Sequence, residues 1–227
     1  MKVFLFLYPY RRYFETCIGY PDYQPDLADL ALGHYSKAID LRYRQRGFRV
    51  CWLMFRSEGG GLEYEGVDQR VGIHSSDLLI DAGMTFNQHC PPELQVLGAD
   101  RSKCPKPIYA NLPYVFSQFP EPICELWIGG HRQQDCVDKV ARFAYFKQML
   151  KGRVHVDEDL TEMGMLAARY YYLPRTDPLE RFNNFPLVRD VWSYESLGFS
   201  AEQCWQTDYL YKRLRRIRNL HPWLVHK

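Results

Sequence analysis

Between Cys124 and Asp159 the chain reads C-E-L-W-I-G-G-H-R-Q-Q-D-C-V-D-K-V-A-R-F-A-Y-F-K-Q-M-L-K-G-R-V-H-V-D-E-D, and this stretch narrows the possible folds more than any other. Glu125 to Ile128 is a short apolar run of buried-strand type. Gly129-Gly130 breaks it, because glycine serves where φ must turn positive or backbones must approach closely. A helix follows: Val137, Val140, Ala141, Ala144 and Gln148 recur at helical spacing, and four of the five are small or apolar. Gly152 stops that helix, and Arg153 to Val156 resumes a strand that ends in the acidic trio Asp157-Glu158-Asp159. The unit is βαβ. It puts Cys136 near the start of a helix at the carboxyl edge of a parallel sheet, where open α/β sheets bind their ligands.

A second unit of the same kind fills the N-terminal 55 residues. Val3 to Leu7 is its first strand, and Tyr8 to Pro25 a polar, aromatic loop. The helix expected over 26–46 buries Leu27, Leu30, Ala31, His34, Ala38 and Leu41, with Asp26 to cap its start and Gly47 to end it. Phe48 to Phe55 is apolar nearly throughout, as parallel strands covered on both faces are. Between the two units the pattern is weaker. Ser57 to Gly61 is glycine-rich but lacks the lysine of a P-loop. Asp77 to Ala82 fits either a strand or a short helix, and Asn111 to Phe119 leads into a short helix. Downstream, Thr161 to Tyr172 reads as a helix stopped by Pro174. Ser200 caps a last helix to about Leu220, which ends K-R-L-R-R-I-R. The expected architecture is a single α/β domain over 1–227, in three layers, with a mostly parallel sheet, helices on both faces and a helical C-terminal extension from about 190.

Composition excludes several classes. Seven cysteines, an odd number without regular spacing, argue for reduced thiols in a cytoplasmic protein rather than a disulfide framework. No run approaches the roughly 18 apolar residues of a membrane span, and Val3 to Leu7 is too short for a signal peptide. No Cys/His cluster has zinc-ligand spacing, and no cofactor is expected. A net charge of +2 gives no general attraction to nucleic acid. The basic face Lys212 to Arg218, with Trp205, Tyr209, Tyr211 and Trp223 nearby, is read first as a solvated face or subunit contact and only second as a nucleic-acid platform.

Cys136 is the first candidate for chemistry. A thiol on the first turn of a helix faces the positive end of the peptide dipoles, which favours its thiolate. His131 and Arg132 precede it closely and act in the same direction. The plainer alternative is a buried, inert cysteine, since free cysteine is among the most buried residue types. The acidic trio offers carboxylates to Mg²⁺ or a ribose; its simpler role is to favour the N-terminus of the next helix.

A strand ending in glycine, a cysteine six positions later followed by valine, then a helix, a glycine and a strand ending in aspartate resembles the isochorismatase-like cysteine hydrolases. Gly130, Cys136-Val137, Ala141, Gly152 and Asp157 or Asp159 fall at or near the matching places, and Ile39 to Phe55 looks like that family's first helix and second strand. The resemblance implies a Rossmann-like fold and a cysteine nucleophile that attacks an amide carbon. An aspartate from the end of strand one would handle the proton, and an upstream lysine would support the site. Cys136 matches the nucleophile, and Lys106, or alternatively Lys103, the lysine. Backbone N–H groups of the turn His131 to Asp135 would hold the substrate oxygen. The polar, basic character of that turn suits an anionic or hydrogen-bonding ligand, so His131, Arg132 and Asp135 join Tyr8 as candidate ligand-binding residues.

One position departs from the family. The aspartate's place is taken by Tyr8-Pro9-Tyr10, and a tyrosine with an ordinary pKa near ~10 is a poor base at neutral pH. Asp22, Glu15 and Asp81 are the candidate replacements. The expectation is a hydrolase of a C–N bond in a small amide, with an unidentified acid/base, working as a homo-oligomer on a small-molecule substrate. The alternative is a protein of the same fold that has lost the reaction and binds a small ligand or a protein partner.

Overall fold

In the central strand β1 (Lys2–Leu7), every side chain from Val3 to Leu7 is fully buried. A strand that is apolar on both faces must be covered on both, which a parallel sheet with crossover helices accomplishes. The computed structural model describes residues 1–18, 35–96, 99–100, 102–131, 133–148, 150 and 153–161. These form a five-stranded sheet in the order β3-β2-β1-β4-β5. The other strands are β2 Arg49–Arg56, β3 Leu78–Thr85, β4 Glu125–Gly130 and β5 Val154–Thr161. All four pairings are parallel. The chain steps from β1 outward through β2 to β3, then returns to the other side of β1 for β4 and β5. Right-handed crossovers in these two opposite directions set their helices on opposite faces.

The helices follow from this plan. α1 is Arg11–Ile18, and α2 covers residues 35–42. α3 (Phe86–His89) leaves β3 directly, opened by a capping box in which Thr85 accepts from the Gln88 N–H and Gln88 returns the bond to the Thr85 N–H. α4 is Pro92–Gln95, α5 Leu112–Ser117, and α6 Asp138–Phe146. On one face Tyr43, just after α2, stacks on Phe4 at 3.9 Å, and Tyr35 of α2 meets Phe6 edge-on at 6.2 Å. α5 and α6 join through Phe116 and Phe143, whose rings lie 5.3 Å apart. Buried polar ties fix the helices to the strands. Arg42 donates to both carboxylate oxygens of Asp157 at 3.0 Å, and the Tyr43 hydroxyl donates to the same group at 2.5 Å. Trp52 donates its indole N–H to Asp77 at 2.8 Å, a carboxylate that also pairs with Arg44.

Three sequence expectations change. The acidic trio does not end a strand, because β5 continues to Thr161. Asp157 is tolerated inside it, since the Arg42 guanidinium neutralises a carboxylate that would otherwise be costly to bury. Gly129-Gly130 is the last pair of β4 rather than a turn beyond it. Asp77 to Ala82, undecided between helix and strand, belongs to β3 apart from its first residue. Of the helix expected over 26–46, residues 35–42 form α2, with Leu41 exposed rather than buried; residues 26–34 lie outside the described residues, and a short turn at Arg44–Arg46 follows that Gly47 closes with φ +75°. Asp26, Gly152 and the expected helices over 161–172 and 200–220 lie outside the described residues, as does the C-terminal extension, except that Thr161 closes β5.

Gly130 is where the fold admits no side chain. Its φ is +94°, and a Cβ there would collide with the Leu7 backbone, 2.9 Å from the carbonyl carbon and closer still to the oxygen. Gly47 shares the positive φ but has open space around it. Gly130→Ala should therefore cost about 3 kcal/mol or more, against about 1 kcal/mol for Gly47→Ala. Urea midpoints of the two variants check this; equal losses would show that β1 and β4 can separate without penalty.

A second expectation concerns pH. Burial pushes the Tyr8 and Tyr10 phenols well above the ordinary tyrosine value and the Cys51 thiol up to about 12. These groups stay protonated in the folded chain, whereas the unfolded chain releases their protons at ordinary values. Stability should be level below about pH 8 and decline as pH rises through 10. Denaturant melts across that window would contradict the account if stability stayed flat to about pH 11.

Candidate active site

The sheet order reverses between β1 and β4, and open α/β sheets bind ligands in the crevice beyond such a reversal. The chain leaves β4 through His131 and enters a wide helical turn, Gln133–Val137, of the π type, before tightening into α6. Turns of that kind recur at functional sites. Cys136 sits in this one, only 5% exposed. Its Sγ lies 3.7 Å from Nε2 of His89, the last residue of α3. The other ring nitrogen, Nδ1, lies 3.0 Å from the Ile108 carbonyl oxygen. A carbonyl only accepts, so Nδ1 must carry the hydrogen. In the neutral ring Nε2 is then the acceptor and faces the thiol. Three segments far apart in sequence thus build one dyad with its tautomer fixed by the backbone.

Aromatic rings hold the imidazole. Tyr8 and Phe55 lie 5.4 and 5.5 Å from it, and Tyr109 meets it edge-on at 5.8 Å. Tyr8 itself stacks on Phe55 at 4.5 Å with planes 4° apart. It adopts φ +59°, the left-handed region that a bulky side chain enters only at a cost. Burial raises its pKa, and the nearby Cys136, Tyr13 and Asp135 add to the rise, so the phenol keeps its proton at neutral pH. Outside the dyad, Asp135 pairs with Lys139 and accepts the Tyr109 hydroxyl at 3.2 Å. Lys139 also rests 3.6 Å over the Tyr109 ring. Burial lowers the Lys139 pKa, but the hydrogen bond and charge of Asp135 outweigh it, and the ammonium ends above its ordinary value.

The residues singled out in the sequence are distributed as follows. Cys136, Tyr8 and Asp135 come together at this edge. His131 is 1% exposed, with its ring against Phe14 at 4.8 Å and Tyr13 at 5.4 Å, so it is walled in by aromatics rather than presented to a ligand. Arg132 lies outside the described residues, as does Asp22. The same limit applies to the side chain of Glu15. Lys106 stands exposed two residues before Ile108, and Lys103 pairs with Asp100 at 3.3 Å. Asp81 is committed to Arg56 at 2.6 Å and accepts the Tyr114 hydroxyl at 3.2 Å. His89 was missed. The available signal was local: T-F-N-Q-H directly after a strand-like run, with Thr85 and Gln88 in capping-box spacing, places a histidine at the carboxyl edge.

Among the described residues no cluster of three or more His, Cys, Asp and Glu side chains could hold a metal ion, and no helix is long and apolar enough to cross a membrane. No protein-family model matches the chain, and no curated protein matches it.

The dyad makes a prediction about thiol reactivity. His89→Asn keeps an N–H for the Ile108 carbonyl but removes the acceptor facing Cys136. Alkylation of Cys136 by iodoacetamide at neutral pH should slow at least about tenfold in this variant, because the imidazole raises the thiolate fraction. Site-resolved mass spectrometry gives the rate, with the exposed Cys124 as internal reference. Unchanged Cys136 kinetics would mean that the 3.7 Å contact has no influence on the thiol.

Proposed function

We propose that this protein is a cysteine-dependent hydrolase acting on a C–N bond of a small amide, with Cys136 as nucleophile and His89 as the proton handler. The observation that supports the reading best is the Cys136–His89 contact at 3.7 Å beside the sheet reversal. A thiol needs an adjacent base or a lowered pKa to attack at neutral pH, and a base needs a third group to orient it. His89 and the Ile108 carbonyl fill those two roles. The imidazole also supplies what strand one lacks, where Tyr8-Pro9-Tyr10 stands in the place of an aspartate.

The reaction would run in two halves. Nε2 takes the thiol proton as sulfur adds to the amide carbon, and the carbonyl π electrons move onto oxygen. When the tetrahedral adduct collapses, the C–N bond breaks and the same proton passes to the leaving nitrogen, leaving a thioester on Cys136. Water then gives its proton to Nε2 and attacks the thioester carbon. Expulsion of sulfur, reprotonated from the imidazolium, releases the acid and restores the thiol. The backbone N–H groups at the start of the Gln133–Val137 turn and the protonated Tyr8 phenol would serve the developing oxyanion; the His131 N–H is already given to the Leu7 carbonyl. Lys106 is the supporting lysine that the family resemblance implies; Lys139, one helical turn past Cys136 and paired with Asp135, is a second candidate cation.

Assays of the purified chain against a panel of small amides test this. Cys136→Ala should abolish turnover, and His89→Asn should lower kcat by about 10²–10⁴-fold. Lys139→Ala should lose more than Lys106→Ala. Turnover that survives in Cys136→Ala would sink the reading. A second reading, a protein of this fold that binds a ligand or partner without catalysis, is favoured by the low exposure of Cys136, 5%. It predicts no turnover of any amide together with slow alkylation of Cys136.

A further inference from the structure

The imidazole of His89 takes its orientation from a carbonyl in a stretch without regular structure, so that carbonyl must itself be held. The Ile108 C=O and the Tyr109 N–H belong to one planar peptide unit. Backbone bonding secures one end of it: the Ile108 N–H donates to the Gln88 carbonyl at 3.0 Å, beside the last residue of α3. A side chain secures the other. The Tyr109 hydroxyl donates to Asp135 at 3.2 Å, and the Lys139 ammonium lies 3.6 Å from the centre of the Tyr109 ring. Asp135 and Lys139 also pair with each other. In the chain they flank Cys136, one directly before it and the other in the first turn of α6.

Tyr109 therefore meets both halves of the dyad. Its ring lies 5.8 Å from the imidazole with the planes at 76°, while its hydroxyl and ring hold the turn and helix start that carry the thiol. A hydroxyl bond to a carboxylate is directional and stronger than one between neutral groups, and a cation over a ring adds to it. The contact so braced is a long one, 3.7 Å from Sγ to Nε2. A small tilt of the imidazole would open it, and a misplacement of about 1 Å can cost a reacting pair on the order of 100-fold in rate.

We propose that Tyr109 is a positioning residue of the dyad: a strut from the Asp135–Lys139 pair to the Ile108 peptide plane that keeps Nε2 of His89 facing the Cys136 sulfur. The proposal rests on the cysteine–histidine reading of the site and not on the bond that the pair cleaves.

The test is the rate at which iodoacetamide alkylates Cys136 at neutral pH in the full chain, followed by site-resolved mass spectrometry against Cys124, with no amide turnover required. Tyr109→Ala should slow Cys136 at least about fivefold. Tyr109→Phe, which keeps the ring but not the hydroxyl, should recover part of that loss. In the His89→Asn background Tyr109→Ala should slow the thiol no further, because the strut acts through the imidazole. A ring that merely packs predicts the opposite sign, since its removal beside a thiol only 5% exposed would admit the reagent and speed the reaction. Where Tyr109→Ala melts well below the parent, Tyr109→Leu, which keeps apolar bulk, carries the same expectation. A Cys136 rate equal to or above the parent's in these variants, or the same slowing with and without His89, would overturn the proposal and leave the dyad standing. A parent-like rate in His89→Asn would overturn both.

Discussion

The close parallel approach of β1 and β4 is the constraint on which the rest of the molecule depends. Gly130 lies opposite Leu7 in the ladder, and a Cβ there would strike the Leu7 backbone. Gly129 is nearly as confined, since a Cβ would lie 2.9 Å from the Leu160 carbonyl of β5. Two consecutive residues without side chains let three strand ends converge where the sheet order reverses. The crevice beyond them receives Tyr8 from β1 and the Cys136 turn from β4. Wider spacing would allow ordinary residues at these positions and would also move the thiol away from the histidine that α3 delivers. Packing and chemistry therefore share one requirement at this edge.

The parts of this arrangement that repeat locally are legible in the sequence. Apolar runs at Val3 to Leu7, Phe48 to Phe55 and Glu125 to Ile128 lie within or overlap β1, β2 and β4, because a strand buried on both faces leaves no room for polar residues. The helix over Val137 to Ala144 shows its stripe for the same reason. What escaped were features set by distant partners. Asp157 looks like a strand terminator until Arg42 and Tyr43, more than a hundred residues earlier, are seen to hold its carboxylate. β3 alternates half-buried and buried positions from Leu79 to Thr85, but the undecided stretch Asp77 to Ala82 covers only the start of that alternation, too little to separate strand from helix.

The site divides along the same line. Cys136 could be found because its surroundings, a glycine-ended strand and a helix start, are contiguous with it. His89 could not be paired with it, since their sequence separation of 47 residues is bridged only by the sheet order. Ile108, which orients the imidazole, belongs to a connection without regular structure and has no sequence signature. A backbone carbonyl is available at any residue, so its use as an orienting group leaves no trace in residue type.

In the proposed hydrolase the aromatic end of strand one follows from where His89, the proposed base, enters. A carboxylate at Tyr8 would face the stacked ring of Phe55 and the imidazole of His89, in a place 1% exposed to solvent. Burying an unpaired carboxylate there would cost several kcal/mol. A tyrosine instead fills the space with a ring and keeps its proton. Its left-handed backbone is the local cost of turning that ring toward Phe55. With the imidazole arriving from α3, strand one need not supply a base. Tyr8 is then free to act as part of the wall around His89, and the pair Cys136–His89 is assembled from both sides of the reversal rather than from the central strand.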